Sequence, residues 1–150
     1  MKRMAVILLL AAAAATAVLA WRTPRESPEP AGPYVTVGKT HITVEIADTP
    51  ELRNLGLSGR PSLSDGSGLL FVYDEPGPRA FWMKDMRFAI DIIWIGGDLT
   101  VTGVTRNALP SSYPETFSPG GDALHVLEVN AGFSDRHGIG AGDSVVLHLD

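Results

Sequence analysis

Tryptophan, lysine and aspartate fall within four residues of one another in Phe81-Trp82-Met83-Lys84-Asp85-Met86, the segment of the chain densest in chemical variety. The face of Trp82 can stack on a sugar or another ring, and Lys84 can pair with an anionic group, which are two ingredients of a small-ligand site. A strand running through Met83 would put Phe81, Met83 and Asp85 on one face and Trp82, Lys84 and Met86 on the other. The same residues also fit plain core filling, with Lys84 neutralising a nearby carboxylate.

Two acids lie inside apolar runs, Asp91 in Ile90-Asp91-Ile92-Ile93-Trp94-Ile95 and Glu128 in Val126-Leu127-Glu128-Val129. A bare carboxylate is costly to bury, so each needs a partner. Arg60 and Lys84 are cations near Gly-rich turns, and together the four imply a partly buried charge cluster. Such a cluster serves general acid and base work by paired carboxylates, anion or sugar binding through the cations, or a purely structural ion network.

The four histidines, His41, His125, His137 and His148, show neither a His-x-His pair nor helical four-residue spacing. Their spacing gives no metal centre, and no metal or cofactor is expected. His125 shares a predicted strand with Glu128 and could join a metal or proton-transfer site, although a lone strand histidine is more often simply packed or exposed. No serine sits in a Gly-x-Ser-x-Gly elbow, and Gly120-Gly121 is not followed by phosphate-loop residues, which argues against serine hydrolases and nucleotide triphosphatases. With no Cys in the chain, thiol nucleophiles, thiolate zinc sites and disulfide frameworks are excluded.

The elements that must position these residues are short. Sixteen Gly and eleven Pro in 150 residues exceed the average share of roughly 12% and disfavour long helices. Hydrophobic residues at 45% against 19% charged still allow a core burying roughly two thirds of the unfolded surface. Val35, Val37 and His41 to Ile46 alternate as a strand or hairpin with a turn at Gly38-Lys39. Thr49, Pro50 and Glu51 start a helix with Leu52 and Leu55 on one face, ending by Gly56 or Gly59. Further strands are expected at Gly68 to Tyr73, Ala80 to Met83, Ile90 to Ile95, Leu99 to Thr105, Leu124 to Asn130 and Ser144 to Leu149. Gly96-Gly97-Asp98 reads as a hairpin loop, and Ser134 as the cap of a short helical turn to Gly138. The spacing predicts an all-β fold, a sandwich or barrel with one or two short helices.

Residues 1–20 carry Lys2 and Arg3 followed by an apolar run from Met4 to Ala20, the pattern of a secretory signal with cleavage after Ala20. The alternative is an uncleaved N-terminal anchor, since seventeen apolar residues sit at the lower edge of a membrane span. Either way the domain is expected to be exported, periplasmic or secreted. Residues 21–33, with Pro24, Pro28, Pro30 and Pro33, read as an extended tether, and residues 34–150 as one domain. Without Lys2 and Arg3 the remaining chain has 10 basic against 17 acidic residues, a net charge of −7. Such a surface repels phosphate backbones, so nucleic acid is not expected as a partner.

Six ordered motifs resemble the DUF192 (UPF0127) family of small, often exported proteins without an established biochemical role. They are Gly56-Leu57-Ser58-Gly59-Arg60, Gly68-Leu69-Leu70-Phe71, Phe81-Trp82-Met83-Lys84-Asp85-Met86, Asp91-Ile92-Ile93-Trp94-Ile95, Val126-Leu127-Glu128-Val129-Asn130-Ala131-Gly132, and His137-Gly138-Ile139 with Gly142-Asp143. Asp85 stands where the family has Asn, Asn130 where it has Pro, and Ile90 replaces the Pro-Leu lead of its Pro-Leu-Asp run. The resemblance implies a jelly-roll-like, partly open β fold, and its recurrent polar positions fall on Arg60, Lys84, Asp91 and Glu128. Residues and resemblance together point to a binding module for a small envelope-associated ligand such as a saccharide, held by Arg60, Trp82, Lys84, Asp91 and Glu128. The alternatives are a hydrolase or lyase using Asp91 and Glu128 as acid and base, and a structural or protein-interaction domain.

Overall fold

Alternating side chains in residues 34–47 build a hairpin, β1 (Tyr34–Val37) and β2 (Thr40–Ala47), with Gly38 at φ 59 in its turn. The computed structural model describes residues 30–150, so the expected leader and residues 21–29 of the expected tether lie outside the described residues. Thr49 caps α1 (Pro50–Leu55) through its hydroxyl, which accepts the Leu52 amide at 3.2 Å, and Pro50 occupies the first turn, as the start signals predict. The helix ends at Gly56, whose positive φ of 52 with ψ −136 suits glycine.

Six further strands and ladders follow α1 before the last apolar run: β3 (Ser67–Phe71), β4 (Gly77–Pro78), β5 (Phe81–Trp82), β6 (Ile90–Ile95), β7 (Val101–Ala108) and β8 (Thr116–Phe117). A 3-10 turn at Pro110–Ser112 separates β7 from β8. Then come β9 (Asp122–Ala123), β10 (His125–Asn130), α2 (Phe133–His137) and β11 (Val145–His148). Seven strands join one curled sheet in the order β11-β1-β2-β3-β10-β6-β7. Only β2 and β3 pair in parallel, across the connection that carries α1; every other pair in this sheet is antiparallel. The fold is all-β with two short helices, a partly open barrel, as the turn-rich strand pattern predicts.

Apolar clusters cover both faces of this sheet. Val35, Ile42, Leu70, Ile93, Ile95, Leu127 and Phe133 fill one, while Leu69, Phe71, Met83, Ile92, Trp94 and Val126 fill the other. That two-sided burial is why β6 and β10 read as continuous apolar runs instead of alternating ones. Glycine is required at position 68 by a close approach of β10: a Cβ there would meet the Glu128 carbonyl oxygen at 2.8 Å and Leu127 Cδ1 at 2.9 Å.

Three expectations are corrected. The strand expected over Ala80 to Met83 is only the two residues Phe81 and Trp82, paired with β8. The chain turns at Lys84-Asp85, where Asp85 has φ 57, so the two-face alternation does not extend to Asp85 and Met86. Ser134 is not a cap: α2 starts after Gly132, in the left-handed region at φ 75, and Ser134 lies buried inside the helix. The two-residue ladders β4, β8 and β9 carry too little periodicity to be read from sequence.

Candidate functional site

Trp82, Lys84 and Glu128 meet at one cleft of about 680 Å³, within the usual range for small-molecule sites. Its walls come from α1 and the loop after it (Gly56 to Ser58), from Phe71 at the end of β3 and Tyr73 beyond it, and from the Phe81–Met86 segment. Two backbone-directed bonds lock these walls together: Ser58 Oγ donates to the Lys84 carbonyl at 3.0 Å, and the Gly59 amide to the Asp85 carbonyl at 2.9 Å. The Gly56-Leu57-Ser58-Gly59 motif is thereby tied to the Phe-Trp-Met-Lys-Asp motif.

Each lining group is set by its strand. Phe81 packs edge-on against Phe71 and Trp94, with ring centres 4.7 and 5.5 Å away, and this anchors β5 in the core. Its neighbour Trp82 therefore faces outward, 52% exposed, with Tyr113 edge-on at 5.8 Å and the Lys84 ammonium 5.8 Å from its ring centre. An exposed indole beside a second ring is a stacking platform.

Glu128 forms the buried end of the cleft. It is 5% exposed, and its Oε2 is buried with no hydrogen-bond partner. Burial pushes its carboxyl up to about 8, offset in part by the nearby charge of Arg60. A group so shifted is protonated at neutral pH and presents an O–H donor. Arg60 does not neutralise it, because both terminal nitrogens are given to Glu45, Nη1 to Oε1 at 2.6 Å and Nη2 to Oε2 at 2.8 Å. The Arg60 hydrogen bonds, with its charge, hold Glu45 below its ordinary value.

Asp91 does not join this site. It is wholly buried on the opposite face, alternating with the Ile90, Ile92 and Trp94 side chains that point toward the cleft side. Its carboxylate accepts three backbone N–H groups, from Asn107 (2.9 Å) and Gly132 (3.2 Å) at Oδ1 and from Ser134 (2.9 Å) at Oδ2. The partner a buried acid requires is thus backbone, of β7 and of the start of α2, with no cation among those contacts. The fold does not bring the carboxyls of Asp91 and Glu128 together at one site.

His125 is likewise separated from Glu128, since three residues along one strand put the two side chains on opposite faces. It is buried, and desolvation with the charge of Arg79 lowers its affinity for a proton. Among the described residues, no group of three or more His, Asp or Glu could hold a metal ion.

Sequence reading missed Glu45, Tyr113 and Tyr73. Glu45 sits in an alternating strand, where it reads as a solvent-facing residue, and only the register of β2 with β3 places it beside Arg60. Tyr73 lies under two cations, with the Arg79 and Arg53 guanidinium carbons 3.7 and 4.8 Å from its ring centre. Arg53 is further fixed by donating to the carbonyls of Asp48 (2.7 Å) and Val72 (2.9 Å).

Two solved structures share this architecture. One, from Novosphingobium aromaticivorans DSM 12444, is a protein of unknown function, 31% identical, with a TM-score of 0.75 over 83% of this chain and 99% of its own. Another, from Sinorhizobium meliloti 1021, is described as a "putative transcription regulator"; it is 29% identical, with a TM-score of 0.72 over 81% of this chain and 98% of its own. No curated protein matches the chain. Residues 34–147, nearly all of the β domain, match the family described as DUF192, Uncharacterized ACR, and the chain belongs to that family.

Proposed function

We propose that this protein is an exported binding domain for a small, uncharged, ring-bearing polar ligand, of which a saccharide from the cell envelope is the best chemical fit. The observation that carries the reading is the Glu128 carboxyl, buried at the end of an open cleft with an unpartnered oxygen. A buried polar atom without a partner is expensive, and a ligand that supplies the partner regains that cost on binding. A neutral carboxyl donates to a hydroxyl or ring oxygen, while the exposed face of Trp82 offers the stacking surface that sugar rings use. Lys84 can donate to a further ligand oxygen from the rim. Export rests on the basic and apolar pattern of residues 1–20.

A thermal-shift screen of neutral saccharides and peptidoglycan fragments, repeated on Trp82→Ala, tests the proposal. The expected result is a rise in melting temperature that the variant loses while keeping its own fold, because a ligand that binds only the folded state stabilises it. No rise with any compound in the panel contradicts it.

A second reading shares the same observation. A carboxyl that keeps its proton at neutral pH is what a general acid requires, so a hydrolase or lyase working through Glu128 alone uses the same cleft. Glu128→Gln separates the two: in a binder the amide still donates and affinity survives, whereas in an enzyme turnover disappears.

A further inference from the structure

Leu69 separates two glutamates in one row across the sheet. The register pairs Glu45 of β2 with Leu69 of β3, and Leu69 in turn with Glu128 of β10, so the two acids are next-but-one neighbours on the same face. Adjacent strands lie about 4.8 Å apart, which puts the backbones of the two glutamates within about 10 Å. Arg60, on the loop after α1, is coupled to both: it binds Glu45 in a two-pronged pair, and its charge is felt at Glu128.

The geometry points to Glu45 as a positioning residue for the site: by engaging both terminal nitrogens of Arg60, it withholds the guanidinium from Glu128 and leaves the Glu128 carboxyl free to face the cleft. A fork-to-fork pair is the strongest arrangement open to Arg, and one guanidinium cannot present the same fork to a second carboxylate. Without Glu45, Arg60 has no partner for those two nitrogens among the described residues, and the other acid whose charge acts on it is Glu128. The two-pronged pair is half exposed at Glu45, whose side chain is 59% accessible. Its contribution to stability is therefore small, and its consequence is the protonation state it preserves next door. The raised proton affinity of Glu128 agrees with this arrangement. The other charged or titratable groups lining the cleft with Glu128 are Arg53, Tyr73, Lys84 and Asp85. Of the two cations among them, Arg53 is held at backbone carbonyls and over Tyr73, and Lys84 lies beside the Trp82 ring; Arg60, outside the lining, is the cation whose charge acts on Glu128.

The inference rests on Glu128 acting as a neutral donor, and the test separates the two. The side-chain carboxyl carbons are followed by NMR from pH 4 to 10 in the full chain, in Glu45→Ala, and in the double variant Glu45→Ala/Arg60→Ala. The expected result is a Glu128 midpoint near 8 that falls by about one to three pH units in Glu45→Ala and does not fall in the double variant. A midpoint near 8 that stays put in Glu45→Ala, or that falls equally without Arg60, overturns the role of Glu45 and leaves the neutral donor standing. A midpoint in the ordinary carboxylate range in the unmodified protein overturns both.

Discussion

Asp91 and Glu128 sit one register step apart on hydrogen-bonded neighbours, Asp91 opposite Val129 and Glu128 opposite Ile92, yet their carboxyls leave the sheet on opposite faces. Their surroundings differ accordingly. Asp91 is closed off by three amides, whereas Glu128 lines the cleft and keeps one buried oxygen without a partner. The first is a structural acid that fastens β7 and the start of α2 to β6, and the second is the chemically available one.

Replacing Asp91 with alanine strands three amide donors in the interior, so the expected loss is at least about 3 kcal/mol of stability. Asp91→Asn, which keeps one accepting oxygen and the shape, recovers part of it. Urea unfolding measures the loss. Ligand binding by the fraction that remains folded should be unchanged, because Asp91 does not reach the cleft.

Glu128 makes the opposite contribution. Its carboxyl binds a proton more tightly in the folded protein, at about 8, than at the ordinary value of 4.5 that the unfolded chain shows. Between those limits the folded state holds the extra proton, so stability is greatest below about 4.5 as far as this group is concerned. It declines as pH rises toward 8, at up to roughly 1.4 kcal/mol per pH unit. Glu128→Gln should remove this slope and be more stable than the unmodified protein at pH 8. Unfolding curves at pH 5, 6.5 and 8 read the difference, and equal slopes in both proteins would contradict the burial of an uncompensated carboxyl.

Asp85 departs from the family's asparagine, and its backbone explains why the exchange is tolerated. With φ at 57, the position needs the left-handed region, which Asn and Asp enter more readily than other non-glycine residues. Asp85→Asn should shift stability by less than about 0.5 kcal/mol. Asp85→Val should cost about 1–2 kcal/mol or more and loosen the Gly59 amide bond that holds the cleft wall. Thermal unfolding of the two variants, compared with the unmodified protein, reads the contrast.

The fold was legible where the pattern was long. The hairpin of residues 34–47, the Thr49-Pro50-Glu51 helix start and the apolar runs of β6 and β10 each state their structure in their own residues. The Lys84-Asp85 turn was not legible, because one positive φ decides it and aspartate adopts either conformation. The buried acids were recognisable by type, since Asp91 and Glu128 both interrupt apolar runs. Their separation depends on side-chain parity relative to partner strands, a property of the assembled sheet. Glu45 was invisible for the same reason: its partner Arg60 lies fifteen residues away in sequence and meets it only when β2 pairs with β3.

Whether Glu128 holds its ligand as a neutral donor is decided by calorimetric titration of the saccharide that gives the largest thermal shift, at pH 6 and at pH 9.5, in the unmodified protein and in Glu128→Gln. If Glu128 binds its ligand as a neutral donor, affinity should fall roughly 30-fold between the two conditions, as the carboxyl loses its proton. It should stay level in Glu128→Gln. An affinity in the unmodified protein that is flat or rises over the same interval would contradict the account.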